Sequence, residues 1–131
     1  MPTLQNLVLK DRTPVTPVDH TFVPDDVVGG VGTVVESSGT KVGDSKFTIS
    51  RKKSASGRQN VTAKLAIPVV AMETINGVQY PKIVRTAYVE VKASFDAAST
   101  TQERTNAMGM IQDSLATTKT LVHKTFVDLE G

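Results

Sequence analysis

The chain has 131 residues, no cysteine and a formal net charge of +2, with four Phe, two Tyr and no Trp. That length predicts a single domain, residues 1–131, able to bury roughly two thirds of its extended surface. The missing cysteines exclude disulfides and thiolate metal sites and fit a reducing cytoplasm, and no run approaches the roughly 18 apolar residues of a membrane-spanning helix.

In chain order, Leu4–Lys10 alternates loosely and Asp11–Arg12–Thr13–Pro14 has turn chemistry before Val18–Val23, which predicts an N-terminal hairpin. Pro24–Asp25–Asp26 and Gly29–Gly30 read as breaks, followed by a short strand Val31–Glu36. Ser37–Ser38–Gly39 and Gly43–Asp44 mark turns on its far side. A central hairpin follows, Lys46–Lys52 and Asn60–Leu65, joined by the loop Lys53–Gln59. If Lys52 faces Asn60, then Ser50 meets Thr62 and Thr48 meets Lys64, and all lie on one face because register preserves face. Pro68 is expected to end the second strand, since proline cannot donate into a ladder. The connection Val69–Pro81 contains Asn76–Gly77, a two-residue turn signal, and reads as a small protruding hairpin or a mobile loop. A long strand runs from about Val84 to Phe95.

The period then changes. Ser99 with Gln102 and Thr100 with Glu103 offer two overlapping capping boxes. Ala107, Met110, Ile111 and Leu115 fall at helical spacing, and Leu121, Val122, Phe126 and Leu129 continue it after a joint at Thr117–Thr118. Strands first and helices last predict an α+β fold whose helices cover one face of an antiparallel sheet. The core of Val, Leu, Ile and Ala is thin, and such a layer completes its burial against a second copy of itself.

The strands carry a two-sided text. In 46–52, 60–65 and 86–92 one set of alternate positions is mostly Phe, Ile, Val, Leu and Ala, and the other is Lys, Thr, Ser, Asn, Tyr and Glu. Short hydroxyls, lysines and one tyrosine on an exposed face suit phosphates and unpaired bases. The charge is also uneven. Ser45–Met72 holds Lys46, Arg51, Lys52, Lys53, Arg58 and Lys64 with no acid, against nine bases and thirteen acids elsewhere. Positive charge gathered on one hairpin is the footprint of a nucleic-acid surface, although a merely solvated hairpin can also be basic.

Catalytic chemistry has almost no support. His20 and His123 sit in different elements without a ligating spacing, and no P-loop, G-x-S-x-G or H-E-x-x-H is present. Gly29–Gly30–Val31–Gly32 precedes a strand and not a helix, so it is no phosphate cradle. Asp25–Asp26 reads as turn residues. Neither a metal nor a cofactor is expected. The start of the chain lacks a secretory signal, which leaves the sequon Asn60–Val61–Thr62 as strand residues.

Several collinear strings, LQNLVLKD at Leu4–Asp11, TFVP at Thr21–Pro24, FTIS at Phe47–Ser50, IPVV with NGV up to Pro81, RTAYV at Arg85–Val89 and STTQER at Ser99–Arg104, resemble the coat proteins of levivirus-type single-stranded RNA bacteriophages. The resemblance spans essentially the whole chain. It implies an N-terminal β-hairpin, a five-stranded antiparallel sheet and two C-terminal helices. It further implies a homodimer with a continuous ten-stranded sheet covered by helices on one face. Such dimers build a small icosahedral virion, assembled in the bacterial host cytoplasm without a membrane. The sheet's inner face binds viral single-stranded RNA, including an operator hairpin whose capture represses replicase translation and marks the genome for packaging.

Carried over position by position, the resemblance places Thr48, Ser50, Thr62 and Lys64, with Val31 beside them, in pockets for unpaired adenines. Lys46 and Lys52 fall at phosphate-contacting positions, and Tyr88 at the tyrosine on which a loop base stacks. Glu90 departs from the pattern, where better-known relatives carry a neutral amide or another residue. An acid there repels phosphate but can accept from a cytosine or guanine amine. The Val69–Pro81 connection would correspond to the loop that surrounds the shell's symmetry axes. Two rival readings share the basic hairpin: a non-viral dimeric nucleic-acid-binding protein that forms no shell, and a shell protein whose RNA contacts are nonspecific.

Overall fold

The computed structural model describes residues 3–37 and 41–130, so the Ser38–Gly39 part of the expected turn lies outside the described residues. Six strands form one sheet in the order of the chain: β1 (Leu7–Lys10), β2 (Asp19–Val28), β3 (Val31–Glu36), β4 (Ser45–Lys53), β5 (Gln59–Ile75) and β6 (Val78–Phe95). A short 3-10 turn at Lys41–Gly43 precedes β4. Two helices follow, α1 (Thr101–Ser114) and α2 (Thr120–Phe126). The chain divides into two compact units, Met1–Ser94 with the sheet and Phe95–Gly131 with the helices.

The architecture is the expected antiparallel sheet with C-terminal helices, and three details differ. The N-terminal hairpin is not set apart from a five-stranded sheet: β2 pairs with β1 through Leu7–Phe22 to Lys10–Asp19 and also with β3. Pro24–Asp25–Asp26 does not break the chain. The register slips between Pro24 and Asp26, a bulge that absorbs one extra residue where a proline cannot donate to a neighbour. Nor does Pro68 end β5, which runs on to Ile75. Pairing with β4 stops at Ala66, so no ladder bond on that side is lost at Pro68.

The turns follow from backbone freedom. Gly29 (φ 58°) and Gly30 (φ 80°) join β2 to β3, and Asn76 (φ 52°) with Gly77 (φ 79°) joins β5 to β6. Both central residues of such a two-residue turn need positive φ, which glycine and asparagine accept at least cost. The Val69–Pro81 connection is therefore a hairpin built from the extended ends of β5 and β6, with Lys82 and Glu73 paired at 3.4 Å across it.

Pairing puts Pro24, Val34, Phe47 and Leu65 in one cross-strand row. Phe22, two residues before Pro24, joins the same side, and Phe22 and Val34 are the most buried apolar side chains among the described residues. This is the apolar face. In the helical unit, α1 starts with a complete capping box: Glu103 N donates to Thr100 Oγ1 and Thr100 N donates to Glu103 Oε2, both at 3.2 Å. Of the two boxes expected, this one forms, while Ser99 Oγ donates instead to the Asp96 carbonyl at 2.7 Å. The second helix ends at Phe126 rather than continuing to Leu129, which lies beyond it at φ 57°. Neither helix buries a side chain fully within the single chain.

Candidate nucleic-acid interface

The register of the central hairpin is the one the sequence predicts: Lys52 pairs with Asn60, Ser50 with Thr62 and Thr48 with Lys64. The third strand extends the rows, with Val31 opposite Ser50, Thr33 opposite Thr48 and Val35 opposite Lys46. Residues directly opposite in a ladder share a face. Val31, Lys46, Thr48, Ser50, Lys52, Thr62 and Lys64 therefore stand together, turned away from the Val34–Phe47–Leu65 row. Tyr88, Glu90 and Lys92 alternate along β6 and join them.

Two adjoining depressions mark this face. One, of about 440 Å³, is lined by Lys46, Thr48, Lys64, Tyr88 and Glu90, together with Leu65, Ala66 and Val89. The other, of about 220 Å³, is lined by Val31, Thr48, Ser50, Thr62, Lys64, Glu90 and Lys92. Thr48, Lys64 and Glu90 border both. Hydroxyls on two strands can each donate or accept, the lysine ammonium donates, and Val31 supplies an apolar wall. Tyr88 is 79% exposed, so its ring is open to a planar partner. Such a set can hold a base already free of pairing, by stacking on one side and hydrogen bonding along its edge.

Glu90 is tied down within it. Lys92 Nζ lies 3.1 Å from Oε1 and Lys64 Nζ 3.8 Å from Oε2. The hydrogen bond from Lys92 is the main cause that holds the Glu90 carboxyl below its ordinary range, with both ammonium charges adding to it. These exposed pairs contribute little to stability. They do mask part of the charge that an acid would otherwise present to phosphate.

Eight of the nine expected residues line these two depressions. Lys52 shares their face but lies beyond them, at the hairpin's far end. Among the other bases of the acid-free segment, alternation turns Arg51 and Lys53 to the opposite face, where Arg51 Nη1 donates to Gln59 Oε1 at 2.8 Å. Arg58 lies in the turn and donates to Ser94 Oγ at 2.6 Å. The basic segment therefore contributes Lys46, Lys52 and Lys64 to the polar face. One residue of this face and one cluster away from it went unforeseen. Lys92 follows Tyr88 and Glu90 at the same parity, a signal visible in the sequence. His20 is drawn between Asp11 and Glu36 by the hairpin register, on the other side of the sheet.

The sequence model described as levivirus coat protein matches residues 2–131. The chain is 55% identical over 128 residues to the capsid protein of Pseudomonas phage PRR1, covering 98% of this chain and 97% of that protein. Among solved structures, the bacteriophage EMS014 coat protein superposes with a TM-score of 0.73 at 28% identity, covering 87% of this chain and 74% of that one. The virus-like particle of bacteriophage NT-214 gives a TM-score of 0.83 at 24% identity, covering 98% of each chain. The bacteriophage GA protein capsid gives 0.83 at 20% identity, covering 99% of this chain and 98% of that one. The last two comparisons bear on the fold alone.

Proposed function

The chain belongs to the levivirus coat protein family and is a capsid protein, and from that premise we propose that it assembles as dimers into a closed icosahedral shell around single-stranded RNA. In the same proposal it captures an RNA hairpin on the polar face of its sheet, which represses replicase translation and selects the genome for packaging in the host cytoplasm. The single observation that carries the RNA reading is the convergence of Thr48, Ser50, Thr62, Lys64 and Tyr88 on two adjoining depressions of one face. Val31, Lys46, Glu90 and Lys92 also line them, and Lys52 extends the basic track along the hairpin.

Dimerisation is supported by what the single chain leaves unfinished. β6 ends the strand order, so its outer flank has no neighbour among the described residues, and an unpaired strand of this length is a template for another chain. Met110, Leu121, Phe126 and Leu129 are each at least 70% exposed, a large apolar area for a lone protomer to leave in water. A two-fold partner that pairs at β6 and packs on the exposed helical side chains answers both, and leaves the polar side of the sheet free for RNA.

Expression of the chain alone, followed by electron microscopy and native mass measurement, tests the shell: closed particles support it, and only small dispersed protein at varied salt with RNA present refutes it. For the hairpin, a pool of RNAs with one fixed stem and randomised unpaired positions is passed over the dimer. Enrichment of particular loops supports sequence-specific capture. Equal affinity for enriched and scrambled RNA reduces the surface to nonspecific contacts.

A further inference from the structure

On the side of the sheet away from the proposed RNA face, three titratable side chains from three successive segments meet. His20, on β2, places Nε2 2.7 Å from Asp11 Oδ2 and Nδ1 2.8 Å from Glu36 Oε2. Asp11 follows β1, and Glu36 is the last residue of β3. The imidazole thus spans the hairpin and the strand that anchors it to the rest of the sheet. Asp11 also organises the β1–β2 loop, because its Oδ1 accepts from Thr13 N at 3.0 Å and from Val18 N at 2.8 Å. Both ring nitrogens point at carboxylates, so the group does not converge on a common point, and it is not arranged to hold a metal ion.

The cluster lies at the edge of a hollow of about 350 Å³ whose other walls include Leu9, Phe22, Leu65 and Ile67. Ser45 faces it from β4 and is neutral, and β5 presents only apolar side chains to it. On the paired part of the hairpin the remaining charges are Lys10 and Asp19, joined to each other at 3.7 Å, with Arg12 in the loop, while Asp25 and Asp26 lie further along β2 beyond the pairing with β1. Asp11 and Glu36 are therefore the acids that decide the state of His20.

An imidazolium has two N–H donors, one for each carboxylate, whereas a neutral imidazole has one donor and one lone pair. Loss of the proton leaves one carboxylate facing a lone pair and without its donor. We infer that Asp11, His20 and Glu36 form a proton-controlled clip that fastens the N-terminal hairpin to β3 and loosens when the imidazole becomes neutral. The inference is independent of the RNA reading, since it concerns the opposite side of the sheet.

The sign is fixed by the two kinds of group. The hydrogen bonds from Asp11 and Glu36 raise the His20 pKa above its ordinary value. The clip's contribution is complete below the unfolded His range and is lost as pH rises through the elevated folded value. The hydrogen bond from His20 and those of the loop hold the Asp11 carboxyl far below its usual range, so the acid limit lies well under neutrality.

Hydrogen-exchange mass spectrometry on the purified full chain tests this, with β4–β5 peptides of the same molecule as the internal reference that cancels the intrinsic pH effect. From about pH 6 to about pH 9, protection of the Leu7–Lys10 segment relative to that reference should fall severalfold in the wild type. In Glu36→Gln the relative fall should be much smaller, because the glutamine amide can accept from the imidazolium or donate to the neutral ring and so stays bonded in either state. A flat ratio in the wild type overturns the clip without any variant. An equally steep fall in Glu36→Gln overturns it as well, and should that variant not fold, the wild-type ratio alone decides.

Discussion

Thr48 on β4 lies directly across the ladder from Lys64 on β5, and the pair forms the ridge between the two depressions of the polar face. A hydroxyl and an ammonium side by side offer hydrogen bonding to a base edge and charge to a phosphate from one place. Three expectations for the protein in solution follow from this face and from the helical unit.

Lys64→Ala should weaken hairpin binding and flatten its salt dependence, lowering the log–log slope by roughly 0.7–0.9 for the one phosphate no longer neutralised. The change also leaves Glu90 with Lys92 as its remaining ammonium partner, which unmasks part of the acid and adds to the loss. Dissociation constants at four or five salt concentrations measure both effects, with native mass checking that the variant keeps the wild-type assembly state. An unchanged slope and affinity would place the phosphate contact elsewhere.

Tyr88→Ala should cost about 1–3 kcal/mol of RNA affinity, the range for losing one stacked base. Tyr88→Phe should retain most of it, because the open ring is the platform and the hydroxyl is secondary. Fluorescence anisotropy with a labelled hairpin separates the two. If Phe proves as damaging as Ala, the hydroxyl and not the ring makes the contact.

Thr100→Ala removes the acceptor for Glu103 N and should destabilise α1 by about 0.5–2 kcal/mol, while Thr100→Ser should be close to neutral. Urea unfolding of the full chain reads the difference. Equal loss in both variants would point to packing by the threonine methyl rather than to the cap.

The best legible features were those set by local geometry. Alternation and the loop Lys53–Gln59, with Lys52 facing Asn60, led to the Thr48–Lys64 register, and the spacing of Thr100 and Glu103 located the start of α1. Proline misled twice, at Pro24 and at Pro68. What proline costs depends on whether a neighbouring strand awaits its N–H, and that is a property of the assembled sheet, not of the residue. The length of the β5–β6 hairpin was hidden for the same reason, since its prolines argued for a loop and Asn76–Gly77 alone could not say how far pairing extends. His20 could not have been read from its neighbours in sequence. Asp11 and Glu36 reach it only because β1, β2 and β3 lie side by side, so nine and sixteen residues of separation collapse to hydrogen-bond distance.

Each strand of the sheet neighbours the one made just before it and the one made just after. During synthesis, therefore, no strand must wait for a distant part of the chain: each hairpin can close as soon as its second arm leaves the ribosome. Such sequence-local pairing shortens the loops that must be closed and favours rapid folding for a β-rich chain. For a protein needed in many copies at once, that order limits how long incomplete chains expose unpaired edges to one another.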